Sequence, residues 1–246
     1  MEKEVYIIEN NSELGAGTRG SSLGIEALKV AALNAESKFF KENPTHLIQT
    51  YNELLLEENV TPSAIRIDGI KKVYQNISSE VKSALKENKF PLILASDHSS
   101  AGGTIAGIRA SFPDKKLGVV WIDAHGDLHS PYTSPTGNIH GMPLATALNE
   151  DNLPNQVKEV EEKSKQAWED LKNLEGITPK ILPEDLVFFG VRDTEQPEDE
   201  LRKRLNIKNF TVEECRKKSI QSSVKEALDL LSNCDIIYIS FDVDSM

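Results

Sequence analysis

Short apolar runs recur along this chain and are separated by longer amphipathic segments. Runs of four to six residues that are rich in Val, Ile and Leu predict buried strands. The segments between them place apolar residues at steps of three and four, which predicts helices. We therefore predict strands over residues 5–8, 45–50, 91–95, 117–122, 186–189 and 236–241, and helices over residues 25–35, 68–87, 99–110, 142–148, 155–174, 197–205 and 221–231.

This alternation of strands and helices predicts an α/β fold with a mainly parallel sheet. At 246 residues the chain is long enough to bury a large core, and we treat residues 1–246 as a single domain. Residues 10–24 are rich in Gly, Ser and Asn and include GAGTRG. This stretch lacks the spacing of a phosphate-binding loop, so we interpret it as a loop at the entrance of a site.

Composition narrows the possible partners. The formal net charge of −11 argues against a nucleic-acid or anionic-membrane surface, because both call for a basic face. The sequence contains no apolar run long enough to span a membrane and no signal peptide is visible. Two distant cysteines do not form a disulfide framework, so we expect a protein of the reducing cytoplasm.

Asp and His side chains follow three of the predicted strands. Side chains at alternate positions of an extended backbone point to the same face, and the carboxyl ends of parallel strands meet at one edge. Carboxylate and imidazole ligands suit Mn, Fe, Co, Ni or Zn. We also expect Asp97 to support His98 through a hydrogen bond. The candidate ligands are Asp123, His125 and Asp127 after the run 117–122, His98 after 91–95, and Asp242 and Asp244 after 236–241.

Several stretches resemble the motifs of the arginase family. DAHGDLHSPYTSPTGNIHG, which begins at Asp123, is similar to the arginase signature, in which DAHxD precedes a Thr- and Ser-rich loop and SGNxHG. SFDVD is similar to the second ureohydrolase signature, and SDHS and GVRD are similar to the family's GGDHS and GLRD segments. The motifs fall in the family's order over nearly the whole chain, and the SGNxHG-like part favours arginase over agmatinase or formimidoylglutamase.

The resemblance implies a three-layer α/β/α fold and an amidinohydrolase that converts L-arginine to L-ornithine and urea through a metal-bridging hydroxide. It implies two Mn²⁺ ions, with Co²⁺ or another divalent metal as an alternative, and a homo-oligomer, a trimer. Two divalent ions need about four carboxylates to offset their charge. Carried over residue by residue, one metal would be held by His98, Asp123, Asp127 and Asp242, and the other by Asp123, His125, Asp242 and Asp244.

The same resemblance implies catalytic roles for Asp127 and His140. The imidazole of His140 would protonate the departing amine, a general-acid role for which imidazole side chains are well suited. Thr136 and Asn138 would contact the substrate carboxylate. The other implied substrate contacts are His129, Glu195 and Glu198.

The sequence departs from the family pattern at several of these positions. Position 129 is His where arginases usually have Asn, Thr136 stands in place of Ser, and Glu195 stands where Asp is usual. The family's guanidinium-binding glutamate would lie beyond Met246, so we expect this chain to be a truncated form that lacks the last strands and helices. Two alternatives stay open: a ureohydrolase of another guanidine such as agmatine, and a metal-binding but catalytically silent subunit.

Overall fold

The computed structural model describes residues 3–246. Within this range no helix combines the length and the apolar character needed to cross a membrane. The strands are β1 (Val5–Asn10), β2 (Thr45–Leu47), β3 (Phe90–Ala95), β4 (Leu117–Ile122), β5 (Leu186–Phe189), β6 (Lys208–Phe210) and β7 (Ile236–Phe241). The helices are α1 (Leu23–Asn34), α2 (Phe39–Glu42), α3 (Ile67–Lys86), α4 (Ser100–Ser111), α5 (Pro143–Leu148), α6 (Glu162–Lys172), α7 (Gln196–Arg204), α8 (Val212–Lys218) and α9 (Ile220–Leu230).

The strands of residues 3–246 pair only in parallel and form two hydrogen-bonded sets, in the orders β2–β1–β3 and β6–β5–β4–β7. In the second set Val119 of β4 lies opposite Leu186 of β5 and Tyr238 of β7, so β4 is flanked on both sides. The predicted α/β class with parallel strands is confirmed. Instead of one ladder, the structure has two sets because β3 and β4 do not pair.

Helices α3 and α4 pack closely because α4 is rich in glycine. A Cβ atom added to Gly103 would lie 2.9 Å from the Cα of Tyr74, and one added to Gly107 would lie 2.9 Å from the Cα of Ser78. Only glycine leaves room for this approach. The small residues of α4 therefore serve packing between helices.

Burial differs sharply between β4 and β7. Trp121 of β4 is fully buried beside Phe188 of β5 in the main core. Strand β7 lies at the edge of its set, and its Ile239 and Phe241 are 62% and 55% exposed. After β4, Asp123 and Asp127 therefore enter the interior, whereas Asp244 after β7 lies nearer the surface.

Several segments differ from the sequence predictions; among them, α2 was not predicted and β2 ends at Leu47 instead of residue 50. Residues 156–161 are not helical, because the Val157 N–H donates to the Tyr132 carbonyl and α6 begins only at Glu162. Strand β6 and helix α8 were not predicted. Strand β6 has three residues and buries only Phe210, too short a pattern for periodicity to detect.

Candidate metal centre

The carboxyl ends of β3, β4 and β7 meet although β3 belongs to the other hydrogen-bonded set. The ring of His98, just after β3, stacks on the indole of Trp121 in β4 with centroids 4.1 Å apart. Its Nε2 lies 2.7 Å from the hydroxyl of Ser240 in β7. These two contacts carry His98 to the end of the β4–β7 pair, where the other predicted ligands lie.

Three carboxylates surround Nδ1 of His98. This nitrogen lies 2.9 Å from Asp123 Oδ2, 3.0 Å from Asp127 Oδ2 and 3.3 Å from Asp242 Oδ2. The side chains of Asp123 and Asp127 are only 1% and 7% exposed. His98 Nδ1 and Asp127 Oδ2 are buried without a hydrogen-bond partner. None of the three contacts of His98 Nδ1 therefore has hydrogen-bond geometry. We call these four residues, His98, Asp123, Asp127 and Asp242, the inner group.

A second set of ligand atoms lies on the other side of Asp123. Nδ1 of His125 lies 3.1 Å from Asp244 Oδ2 and 3.5 Å from Asp123 Oδ1, and the three residues are close enough to hold one metal ion. The side chains of His125 and Asp244 are 49% and 43% exposed. We call Asp123, His125 and Asp244 the outer group. Asp123 faces the inner group through Oδ2 and the outer group through Oδ1, as a bridging carboxylate must.

Asp242, the other bridging ligand that the resemblance implies, is oriented differently. Its Oδ2 faces His98, and its Oδ1 accepts the backbone N–H of Asp244 at 3.1 Å. The compact outer set comprises Asp123, His125 and Asp244. The structure thus brings Asp242 to the inner group and uses its second oxygen to hold the turn that carries Asp244.

The crowding of carboxylates shifts the pKa values of the inner group. Burial lowers the pKa of His98, but the carboxylates of Asp123 and Asp127 raise it more, and the net pKa lies well above its ordinary value. Burial raises the pKa of Asp127 to about 6, and the neighbouring imidazole lowers the pKa of Asp242. The inner group therefore concentrates buried negative charge around one imidazole, an arrangement that a cation stabilises.

The two groups fit divalent cations. Their atoms are carboxylate oxygens and imidazole nitrogens, the ligands of Mn, Fe, Co, Ni and Zn. Buried polar atoms without hydrogen bonds are rare in proteins, and two of those in residues 3–246 are the predicted ligand atoms His98 Nδ1 and Asp127 Oδ2. The unpartnered atoms and the surplus of negative charge both indicate a site built to hold cations.

Backbone hydrogen bonds fix the chain that follows β4. The Asp123 N–H donates to the Phe189 carbonyl at 3.1 Å, and the Ala124 carbonyl accepts the Arg192 N–H at 2.8 Å. The Arg192 guanidinium donates to the Asp244 carbonyl at 3.1 Å, and the Ala124 N–H donates to Asp244 Oδ1 at 3.3 Å. The role of Arg192 in joining the β5 end to Asp244 was not predicted.

Two other contacts were also missed by the sequence analysis. Trp121 Nε1–H donates to Asp123 Oδ2 at 3.0 Å, and Ser240 contacts His98. Each lies two residues before a predicted ligand, Asp123 or Asp242, and so on the same face of its strand. The period of two along β4 and β7 was the signal that identifies them.

The predicted hydrogen bond from Asp97 to His98 is wrong. Both ring nitrogens of His98 face other groups. Asp97 instead accepts the backbone N–H of Ser99 through Oδ1 at 2.9 Å and that of Gly15 through Oδ2 at 3.2 Å. It therefore joins the end of β3 to the glycine-rich loop.

His129, Glu195 and Glu198, three of the predicted substrate contacts, lie together. His129 is buried, and its Nε2 lies 3.4 Å from Glu198 Oε2 and 3.7 Å from Glu195 Oε2. Burial lowers the pKa of His129, but Glu198 raises it more. Glu198 also accepts the Leu128 N–H at 3.1 Å and the Glu195 N–H at 3.1 Å, so it caps α7 and supports the loop after β4.

Thr136, Asn138 and His140 lie on one loop segment. The Thr136 hydroxyl accepts the Asn138 N–H at 3.2 Å. His140 is exposed on a short 3-10 helix, Ile139–Gly141, and its backbone N–H donates to the Gly15 carbonyl at 3.1 Å. The glycine-rich loop before α1 therefore contacts the segment that carries the predicted acid.

Comparisons with known proteins identify related sequences and structures. A sequence model of the Arginase family matches residues 3–246. The arginase of Brevibacillus brevis is 34% identical over 258 aligned residues, and that of Bacillus subtilis is 32% identical over 249; each alignment covers 100% of this chain and 77% of the relative. A crystal structure of the Bacillus subtilis arginase superimposes with a TM-score of 0.79 at 32% identity, over 98% of this chain and 75% of that one.

Proposed function

The chain belongs to the arginase family, a family of hydrolases acting on amidines, and from this premise we propose that it hydrolyses L-arginine to L-ornithine and urea. The observation that carries the proposal is the meeting of ligand atoms from three strand ends around His98 and Asp123, with two of those atoms buried and without hydrogen bonds. Such a site suits a reaction that needs concentrated positive charge.

The inner group would hold one divalent cation and the outer group a second, with Asp123 between them. When bound, the cations supply positive charge that makes water a nucleophile at neutral pH and stabilises charge developing on the substrate. We propose Mn²⁺ for both positions, with Co²⁺ as an alternative, because the donor set is rich in carboxylate oxygen.

The chain's own residues would divide the remaining work. The water oxygen adds to the guanidinium carbon, and the bond from that carbon to the side-chain nitrogen breaks, which leaves urea and the amine of L-ornithine. Asp127, which lies beside His98 in the inner group, would accept a hydrogen bond from the attacking water. The exposed imidazole of His140 would give a proton to the departing amine.

The loop after β4 and the start of α7 would recognise the α-carboxylate and α-amino groups of the substrate. Thr136 and Asn138 lie side by side and offer a hydroxyl and an amide for a carboxylate. Glu195 is half exposed and offers a carboxylate for an ammonium group. His129 and Glu198 lie next to Glu195 and contact each other.

One observation favours a second candidate, a ureohydrolase of guanidines without an α-amino group. Both oxygens of Glu198 already accept backbone N–H groups, from Leu128 and Glu195, and Oε2 also faces the His129 ring. With these acceptor sites of Glu198 occupied, recognition of an α-amino group would depend mainly on Glu195. A substrate such as 4-guanidinobutanoate would not need it.

The test is urea release by the Mn²⁺-loaded chain from three guanidines. L-arginine carries both the α-amino and the carboxylate group, agmatine lacks the carboxylate, and 4-guanidinobutanoate lacks the amine together with the carbon that bears it. We expect L-arginine to have the highest kcat/KM and agmatine to lose most of it. Preference for agmatine or for 4-guanidinobutanoate would replace the proposed substrate, and two bound metals without urea from any of the three would favour the silent subunit.

A further inference from the structure

The glycine-rich loop between β1 and α1 is closed by one buried side chain. Glu13 is 6% exposed, and its Oε1 accepts the N–H of Gly20 at 2.9 Å, the N–H of Ser22 at 2.9 Å and the hydroxyl of Ser22 at 2.7 Å. These donors lower the pKa of Glu13. We call residues 13–22 the Glu13 loop. One carboxylate oxygen thus joins its two ends.

The Glu13 loop contacts the segment of the predicted acid through glycines. The Gly15 carbonyl accepts the His140 N–H at 3.1 Å. A Cβ atom added to Gly15 would lie 2.7 Å from Asp97 Oδ1 and from Ser99 Oγ, and one added to Gly17 would lie 2.9 Å from Asn138 Nδ2. The loop therefore fits between the end of β3 and the His140 segment with no room for a side chain.

We infer that Glu13 is a positioning residue that acts through Gly15 and Gly17 to fix His140 and the Asn138 amide. The inference rests on the proposed function, in which His140 supplies a proton and Asn138 contacts the substrate. The three hydrogen bonds of Glu13 hold the loop ends together. Without them the loop gains alternative conformations, and the Gly15 carbonyl loses its fixed place beside the His140 N–H.

A matched carboxylate lies nearby for comparison. Glu9, at the end of β1, is 4% exposed and forms a 2.6 Å ion pair with Lys29. It makes no hydrogen bond to the Glu13 loop in residues 3–246. Substituting Glu9 removes a buried carboxylate of similar exposure from the same strand end but leaves the closure of the loop intact.

The experiment compares Glu13→Ala, Glu13→Gln and Glu9→Ala in the full chain. All three bonds of Glu13 reach one oxygen, so the amide oxygen of Gln is able to accept them. With Mn²⁺ and L-arginine we expect kcat of Glu13→Ala to fall about 10- to 100-fold, since small misplacements of reacting groups cost that much. Glu13→Gln should stay within about threefold of the parent, and Glu9→Ala should keep the parental kcat.

A second readout does not depend on turnover. The chain has five histidines, so its imidazole C–H signals are few enough to resolve by NMR without added metal. The His140 signals, assigned with His140→Asn, should shift in Glu13→Ala and return in Glu13→Gln. The signals of His46, which stacks on Tyr6 at 4.0 Å, serve as the reference for intact folding.

A milder variant covers the case in which Glu13→Ala does not fold. Gly17→Ala would meet only the movable end of the Asn138 side chain, and we expect a higher KM for L-arginine with kcat nearly unchanged. The inference is overturned if the His140 signals and kcat of Glu13→Ala match the parent, if Glu13→Gln is equally impaired, or if Gly17→Ala leaves KM unchanged. Absence of urea release by the parent chain would defeat the proposed function, while the NMR comparison would still decide this inference.

Discussion

The inner group and the outer group share Asp123 but differ in exposure and in the elements that carry them. The inner group draws its ligands from the ends of β3, β4 and β7, with Asp127 almost fully buried and Asp242 29% exposed. In the outer group the side chains of His125 and Asp244 are nearly half exposed, and Asp244 follows the edge strand β7. The same ligand chemistry is thus placed once in the interior and once near the surface.

This difference has consequences for metal binding. Buried ligands are held in place before a cation arrives, but their charges repel one another in a medium that screens them poorly. Exposed ligands repel one another less and are also held less firmly. We therefore expect the inner group to bind its cation more tightly and to gain more stability from it than the outer group.

The largest effect is expected from Asp123→Ala, because this substitution removes a ligand from both groups. We expect the metal content after gel filtration to fall from two ions to less than one. Urea release from L-arginine should fall at least about 1,000-fold, since about 4 kcal/mol of transition-state stabilisation is lost. Asp193→Ala is the control, because Asp193 is 84% exposed and lies 3.7 Å from His125. If Asp123→Ala retained two ions, Asp123 would not be a ligand shared by the two groups.

The next largest effect, that of Asp127→Asn in the inner group, should change activity and folding stability in opposite directions. Asp127→Asn keeps the shape of the side chain and suits the positive φ of 49° at this position. We expect loss of the inner cation and of nearly all urea release, together with a more stable metal-free chain. Burial raises the pKa of Asp127 from 3.8 to about 6, which corresponds to at most about 3 kcal/mol at pH 7.

The pH dependence of that gain has a definite sign. Between about pH 4 and pH 6 the folded metal-free chain holds the Asp127 proton more firmly than the unfolded chain, so its free energy of unfolding falls as the pH rises. The gain of Asp127→Asn should therefore be complete above about pH 6 and vanish below about pH 4. Urea denaturation of both proteins at pH 4 and pH 7 measures it. An equal difference at both pH values would rule out the electrostatic explanation.

A smaller effect is expected from Asp244→Ala, which removes a ligand from the outer group alone. The outer cation should bind about 10- to 100-fold more weakly, whereas the inner cation keeps its affinity. Urea release should then recover in part at high Mn²⁺ concentration, a recovery that Asp127→Asn should not show. Titration of both variants with Mn²⁺ compares them directly, and equal recovery would remove the distinction between the two groups.

The sequence predicted the positions of these ligands better than their surroundings. Short apolar runs identified β4 and β7, and the period of two placed Asp123, His125 and Asp127 together. The exposure of each group was not predictable from the same pattern. It depends on the flanking of β4 by β5 and β7, and pairing between distant strands leaves no local signal.

The contacts that support the ligands were also beyond the sequence pattern. Asp97 follows β3 next to His98, but its Oδ2 accepts the Gly15 N–H from the loop before α1 and its Oδ1 accepts the Ser99 N–H. Arg192 reaches Asp244 across more than fifty residues of chain. Hydrogen bonds of this kind follow from the assembled fold, and only Trp121 and Ser240 carried a readable signal through their strand position.

The smallest effect tests whether the buried indole of Trp121 contributes to metal binding by the inner group. Trp121 donates Nε1–H to Asp123 Oδ2 at 3.0 Å and stacks on His98. Trp168 is its matched control, because it is equally buried and donates Nε1–H to Asp151 Oδ1 at 2.8 Å, in a cluster with Lys172. Both Trp→Phe substitutions remove one buried N–H donor and similar volume.

We expect Trp121→Phe to lower the affinity for the first Mn²⁺ about 10-fold and Trp168→Phe to leave that affinity unchanged. Without metal, the two variants should lose similar amounts of folding stability. A donor to a metal ligand fixes the direction of its lone pairs, and a donor elsewhere in the core does not. Titration of the free Mn²⁺ signal by electron paramagnetic resonance measures both affinities on one scale. Equal weakening in the two variants would trace the effect to general loosening of the core, and the inner group would then owe its tighter binding to burial alone.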